Sequence, residues 1–158
     1  EEADEIISIY QNRVPFVKQL TYNVMDKSSA RGEIKTLLGR HCRFPFYEPR
    51  EFGVKGFYKT KEEAISALGH GNYKRAGTYK ALNKLIQGSA ADQTKKAMVD
   101  LYEQDGIIPH IQVHDELNIS VKNKSEALSI KKKMEDCVEL NVPSVVDYAL
   151  AKNWGEAK

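Results

Sequence analysis

Apolar residues at Ala3, Ile6, Ile7, Tyr10, Val14, Val17, Leu20 and Val24 recur at helical spacing from Glu1 to about Lys27. Acidic residues crowd the first turn, where they complement the positive end of a helix dipole. Pro15 has no amide proton to donate, so two helices with a bend near Arg13 to Pro15 are predicted. Ser28 to Gly32 then reads as a breaker, and GEIKTLLGRHCRFP as a short extended pair turning near Gly39 and Arg40. That turn would bring Arg40 and Arg43 close together, either as plain surface arginines or as a phosphate-contacting pair.

Phe46 to Gly71 has no sustained period and is broken by Pro49, Gly53, Gly56, Gly69 and Gly71, so an irregular insertion with a short helix at Lys61 to Leu68 is predicted. The helical period returns from Asn72 to Gln104 through Leu82, Leu85, Ile86, Ala90, Ala97, Met98 and Leu101, and Gly106 supplies a stop. A break near Gln87 to Ser89 would make this two helices end to end. Arg75, Tyr79, Asn83 and Gln87 recur every fourth residue, which on one helix is a single polar stripe. Such a stripe is either a solvent face or a surface that reads a nucleic-acid backbone or minor groove.

Strict alternation appears once, in IPHIQVHDELNISV from Ile108 to Val121. Ile111 and Val113 lead in and Leu117, Ile119 and Val121 lead out, which predicts a β-hairpin of half-buried strands. Its tip carries His114, Asp115 and Glu116 and no glycine, although turn energetics favour Asn-Gly or Asp-Gly there. Carboxylates on a rigid tip suit a hard cation such as Mg²⁺; a solvated polar turn is the plainer alternative. Ser125 to Leu140 then predicts an amphipathic helix capped by Ser125 and ended by Pro143, with an edge strand at Val145 to Leu150 and Asn153 and Trp154 closing the chain. Strands and helices interleave without βαβ regularity, so the fold class is α+β with an antiparallel sheet.

Composition adds one feature. The formal net charge is +2, yet residues 27–96 hold fifteen Lys and Arg against six Asp and Glu, leaving both ends acidic. A basic middle fits a polyanionic partner or a solvated lysine-rich surface. Cys42 and Cys137 lie far apart without metal-ligand spacing, which points to reduced thiols in a cytosol-like compartment. No apolar run of about 18 residues and no signal pattern is present, so no membrane association is expected. The chain starts at Glu1 rather than Met, the mark of a processed chain or of a piece of something longer.

In combination the motifs are specific. LNKLIQGSAADQTKKAM followed by QVHDEL resembles the C-terminal palm and adjoining helices of family A DNA polymerases, the bacterial DNA polymerase I type, and VHDE resembles that family's third signature motif. EEADEIISIYQNRVP is similar to the helix after the fingers, IKTLLGRHCRFP to the TLxGRRRxxP hairpin, and VPSVVDYALAKNWGEAK to the family's close, so the resemblance covers nearly the whole chain.

This resemblance implies a single partial domain over 1–158: helices following the fingers at 1–30, a hairpin at 31–45, an insertion at 46–71, and the palm with its catalytic hairpin at 72–158. It implies that Asp115 is one of two aspartates holding two catalytic Mg²⁺ ions, with His114 near the primer terminus and Glu116 as a supporting carboxylate. Gln87 and Asn83 would contact template or primer. Bacterial members usually place arginine where Tyr79 stands, with Arg75, one turn away, as the implied substitute. The segment between Pro45 and Tyr79 is longer than in bacterial members, as in the phage branch. The family's first motif, with the other metal-binding aspartate, and its RxxxKxxxFGxxYG fingers helix do not occur in the sequence. The implied activity is template-directed nucleotidyl transfer from dNTP to a primer end in DNA replication, on primer-template DNA, together with an N-terminal polymerase fragment bearing the missing motifs. The implied place of work is the cytoplasm, the host's if phage-encoded. A non-catalytic nucleic-acid-binding remnant and a stand-alone metal-dependent nuclease are the alternatives.

Overall fold

The computed structural model describes residues 2–157, leaving the terminal Glu1 and Lys158 outside the described residues. The chain divides into two compact units, Glu1–Gly88 and Ser89–Lys158.

The first unit opens with helices α1 (Glu2–Arg13) and α2 (Pro15–Arg31), parted at Val14, with Pro15 at the start of α2 where no intrahelical amide is needed. The predicted division into two helices is therefore present. The predicted breaker is shorter than Ser28 to Gly32: α2 continues to Arg31 and ends only at Gly32, whose φ of 74° is left-handed. Ser28 stays helical because it is buried and its hydroxyl donates to the Met25 carbonyl at 2.8 Å. Strands β1 (Glu33–Lys35) and β2 (His41–Arg43) form the expected antiparallel hairpin, with Ile34 opposite Cys42.

Residues 46–71 are more ordered than predicted. Strand β3 (Tyr47–Pro49) pairs antiparallel with β4 (Tyr73–Arg75), with helix α3 (Lys61–Leu68) between them in sequence. Thr60 caps α3 by accepting from the Glu63 amide at 3.1 Å. Strands β3 and β4 are far apart in sequence, with no short turn joining them, so no hairpin signal marks them. The core of this unit is Val24, Ile34, Phe44 and Ala81, with Cys42, Leu82 and Leu85 packed against it.

After a short 3₁₀ turn at Thr78–Lys80, helix α4 (Ala81–Asp105) begins in the first unit and continues in the second. Two expectations are corrected here. The helix starts at Ala81, not Asn72, and it runs unbroken through Gln87 to Ser89. Gly88 is not a stop, because a Cβ there would lie 2.9 Å from Thr36 Cγ2 and 3.3 Å from Arg40 Nη2. The glycine serves close packing of the β1–β2 turn on the helix.

In the second unit, β5 (Ile111–Val113) and β6 (Glu116–Asn118) form the predicted hairpin, and helix α5 (Lys124–Asp136) follows. The cap is Asn123, not Ser125: its side chain accepts from the Glu126 amide at 3.0 Å. The helix stops at Asp136, four residues short of Leu140. No strand forms at Val145 to Leu150. There the Val146 amide donates to Glu135 Oε1 at 2.9 Å and its carbonyl accepts from Lys131 Nζ, so side chains of α5 take the bonds a ladder partner would have taken. Antiparallel pairing and packed helices make the fold α+β, with the strands in three two-stranded ladders rather than one sheet.

Candidate nucleic-acid interface and metal-binding tip

Val113 pairs with Glu116, so His114 and Asp115 are the whole turn of the β5–β6 hairpin. His114 has φ 53°, the single non-glycine left-handed residue among the described residues. A two-residue hairpin turn needs a positive φ at its first central position, which glycine would normally supply. The polar sequence keeps that geometry without glycine, and Gln112 Nε2 steadies the turn by donating to the His114 carbonyl at 2.9 Å. Val113, Leu117, Ile119 and Val121 are half-buried as the alternation predicts, while Ile111 is exposed.

Asp115 and Glu116 are exposed and make no side-chain hydrogen bond or ion pair within the described chain. With Gln93, Ala97, Ala127 and Lys131 among others they line a hollow of about 1100 Å³. Free carboxylate oxygens fit a hard, oxygen-seeking cation such as Mg²⁺. Among the described residues no third His, Cys, Asp or Glu joins them to make a set that could hold a metal. The residues present therefore fit part of a coordination shell.

In the first unit, Asn83 and Gln87 lie one turn apart on α4, both exposed and with their amides free. Tyr79 precedes them on the 3₁₀ turn, 65% exposed, with Lys80 Nζ 5.3 Å from its ring centroid. The four-residue stripe is thus half realised. Arg75 lies on β4, not on the helix, and its guanidinium faces the protein: Nε donates to the Ser29 carbonyl at 2.9 Å and Nη1 to that of Phe44 at 3.0 Å, while Cζ lies 5.1 Å from the Tyr47 ring centroid. Arg40 and Arg43, both exposed, have different partners within the chain. Arg40 Nη2 donates to the Gly88 carbonyl at 2.9 Å, whereas Arg43 is largely exposed with Nε 4.0 Å from Glu33 Oε2. The His41 hydrogen bond at 2.9 Å, and more weakly the charges of His41, Arg43 and Lys35, hold the Glu33 carboxyl below its usual value.

Several residues escaped the sequence pattern. Asp92, inside QGSAAD, is buried on α4 at 6% exposure, and Gly88 is a packing residue. Gln93 Nε2 donates to Ser144 Oγ at 2.8 Å, and with Lys131 and Glu135 it holds the C-terminal segment. Burial raises the Cys137 thiol's pKa, so this cysteine stays a protonated packing group beside the Gln93 carbonyl.

A sequence profile of DNA polymerase family A matches residues 1–156. The chain belongs to DNA polymerase family A. It is 38% identical over 156 residues to a DNA-directed DNA polymerase of Pseudomonas phage M6, covering 99% of this chain and 20% of that protein. DNA polymerase I of Bacillus caldotenax is 33% identical over 166 residues, covering all of this chain and 17% of its own length. The fold matches the POL domain of Pol1 from M. smegmatis, solved in complex with DNA primer-template and dNTP, with a TM-score of 0.71 and 27% identity over 99% of this chain and 26% of that one. The family A chain described here thus spans about a fifth of the length of these relatives. No helix among its described residues is long and apolar enough to cross a membrane.

Proposed function

We propose that this chain is the C-terminal palm portion of a template-directed DNA polymerase that extends a primer 3′ end with dNTPs in DNA replication. The carrying observation is the pair of unpartnered carboxylates, Asp115 and Glu116, on a sharply turned hairpin in a family A chain. Asp115 is the metal ligand in this reading, and Glu116 a supporting carboxylate. Two bound Mg²⁺ ions would supply activation of the primer hydroxyl and stabilisation of charge on the leaving pyrophosphate. His114 holds the primer terminus near the tip. Asn83 and Gln87 donate amide protons to minor-groove acceptors, which lie in similar places in every correct pair, so geometry is tested without reading sequence. Tyr79 adds an exposed ring beside them, and Arg43 offers a cation for the phosphate backbone. Arg75 and Arg40 act on DNA only through the elements they hold in place.

Two-metal transfer needs carboxylates beyond this pair and a cationic grip on the triphosphate. We assign these to an N-terminal polymerase segment with the first metal-binding motif and the fingers. The β5–β6 ladder beside that hollow supports the assignment, since a ladder of two strands can accept a further one. The work would be done in the cytoplasm, the host's if a phage encodes it.

The test is primer extension by this chain, by a chain carrying the missing motifs, and by both, beside sedimentation of the mixture. Extension on mixing alone supports the assignment. Robust extension by this chain alone, or none by a well-formed complex, overturns it; the second outcome would return the chain to a non-catalytic nucleic-acid-binding role.

A further inference from the structure

The loop between β3 and α3 is anchored at its base and apolar at its tip. Tyr47 and Tyr58 exchange both backbone hydrogen bonds at 2.9 Å, closing the base. The Arg50 amide donates to the Asn72 carbonyl at 2.8 Å, and Arg50 Nε donates to that of Gly71 at 3.1 Å. Beyond this anchor the chain turns at Gly53, φ 84°, and presents Phe52 with 104% exposure, Val54 with 46% and Phe57 with 63%. Phe57 is not loose, because its ring rests on that of Phe46 with centroids 4.7 Å apart. Between the two phenylalanines in sequence lies Lys55, which is exposed and makes no hydrogen bond or ion pair. Residues 50–61 carry Arg50, Lys55, Lys59 and Lys61 against the single carboxylate of Glu51.

A fully exposed phenylalanine on an anchored loop buries nothing in its own chain, so its value lies in what it meets. Lysine is depleted at protein–protein interfaces. Aromatic rings interleaved with basic side chains are instead the composition that stacks unpaired bases and tracks the phosphates beside them. We propose that loop 50–57 is a stacking finger for single-stranded nucleic acid, with the Phe52 and Phe57 rings against bases and Lys55 on the intervening phosphate. Such a contact ignores sequence, because every base has a π face. The loop shares no residue with the Asn83 and Gln87 pair or with the Asp115 tip, and the proposal does not rest on a catalytic role for either.

The test measures binding of a fluorescein-labelled oligothymidylate to the 158-residue chain by anisotropy, with a blunt duplex and an RNA oligouridylate as comparisons. Phe52 touches no core, so its substitution leaves the fold intact. Phe52→Leu should weaken single-strand binding about tenfold and Phe52→Trp should keep it, since stacking requires a ring while simple apolar contact does not. Lys55→Gln should flatten the salt dependence of log affinity by about 0.7. Equal binding by wild type and Phe52→Leu, retention by leucine with loss by tryptophan, or failure of the wild-type chain to bind the oligothymidylate would each overturn the proposal.

Discussion

Arg40 Nη2 donates to the backbone carbonyl of Gly88 at 2.9 Å, tying the turn of the β1–β2 hairpin to helix α4 at the residue after Gln87. The approach is possible because position 88 has no side chain. Gly88→Ala would push a methyl group to 2.9 Å from the buried, stiff Thr36 and toward Arg40. Overpacking costs about 1–3 kcal/mol, and the helix propensity of alanine returns up to about 1 kcal/mol. The expected outcome is a net loss of about 1 kcal/mol in urea unfolding; a gain in stability would show that the turn moves aside freely.

Arg75 bonds two backbone carbonyls from one planar group, one of them near the C-terminal end of α2, and it packs where Gly32 leaves room. Lysine cannot reproduce that fork. Arg75→Lys should lower stability by about 1–3 kcal/mol while leaving the salt dependence of DNA binding unchanged. A flattened salt dependence would mean that the guanidinium reaches phosphate after all.

Asp115→Asn replaces a carboxylate that has no partner in the chain, so folding and primer-template affinity should stay near wild type. In the assembled polymerase, incorporation should fall on the order of a thousandfold or more, because an amide is a poor ligand for a hard cation. Single-turnover incorporation within tenfold of wild type would remove Asp115 from the metal site.

Asn83 and Gln87 share one exposed face with free amides. Asn83→Ala and Gln87→Ala should each weaken extension, and Gln87→Ala should raise extension past mismatched ends relative to matched ones. If both variants extend matched and mismatched primers as wild type does, this face is solvent surface only.

The Val146 amide hydrogen bond, and secondarily Lys131, hold the Glu135 carboxyl below its ordinary value of 4.5. A carboxylate depressed in the folded state contributes stability that is fully present above its unfolded value and is lost as pH falls through the folded one. The amide resonance of Val146 should therefore titrate with a midpoint below 4.5, and Glu135→Gln should abolish that titration. A midpoint at or above 4.5 would show that the C-terminal segment is not held by Glu135.

By itself the sequence determined the elements that local chemistry dictates. Pro15 parts α1 from α2, the alternation around VHDE makes a hairpin, and the spacing of Asn83 and Gln87 puts two amides on one helix face, because each depends on dihedral limits or on a period within one segment. Family membership was legible for the same reason, in short ordered motifs. Tertiary structure alone decided whether a polar group faces solvent or protein. Arg75 fits the stripe by number, yet the β3–β4 ladder takes it off the helix and turns it onto the Ser29 and Phe44 carbonyls. Gly88 reads as a break until Thr36 and Arg40 are seen against it, and Val145 to Leu150 reads as a strand until Lys131 and Glu135 are seen to take its backbone bonds. Partners distant in sequence leave no periodic trace, and the free energy of satisfying a buried carbonyl or filling a close approach is set by those partners.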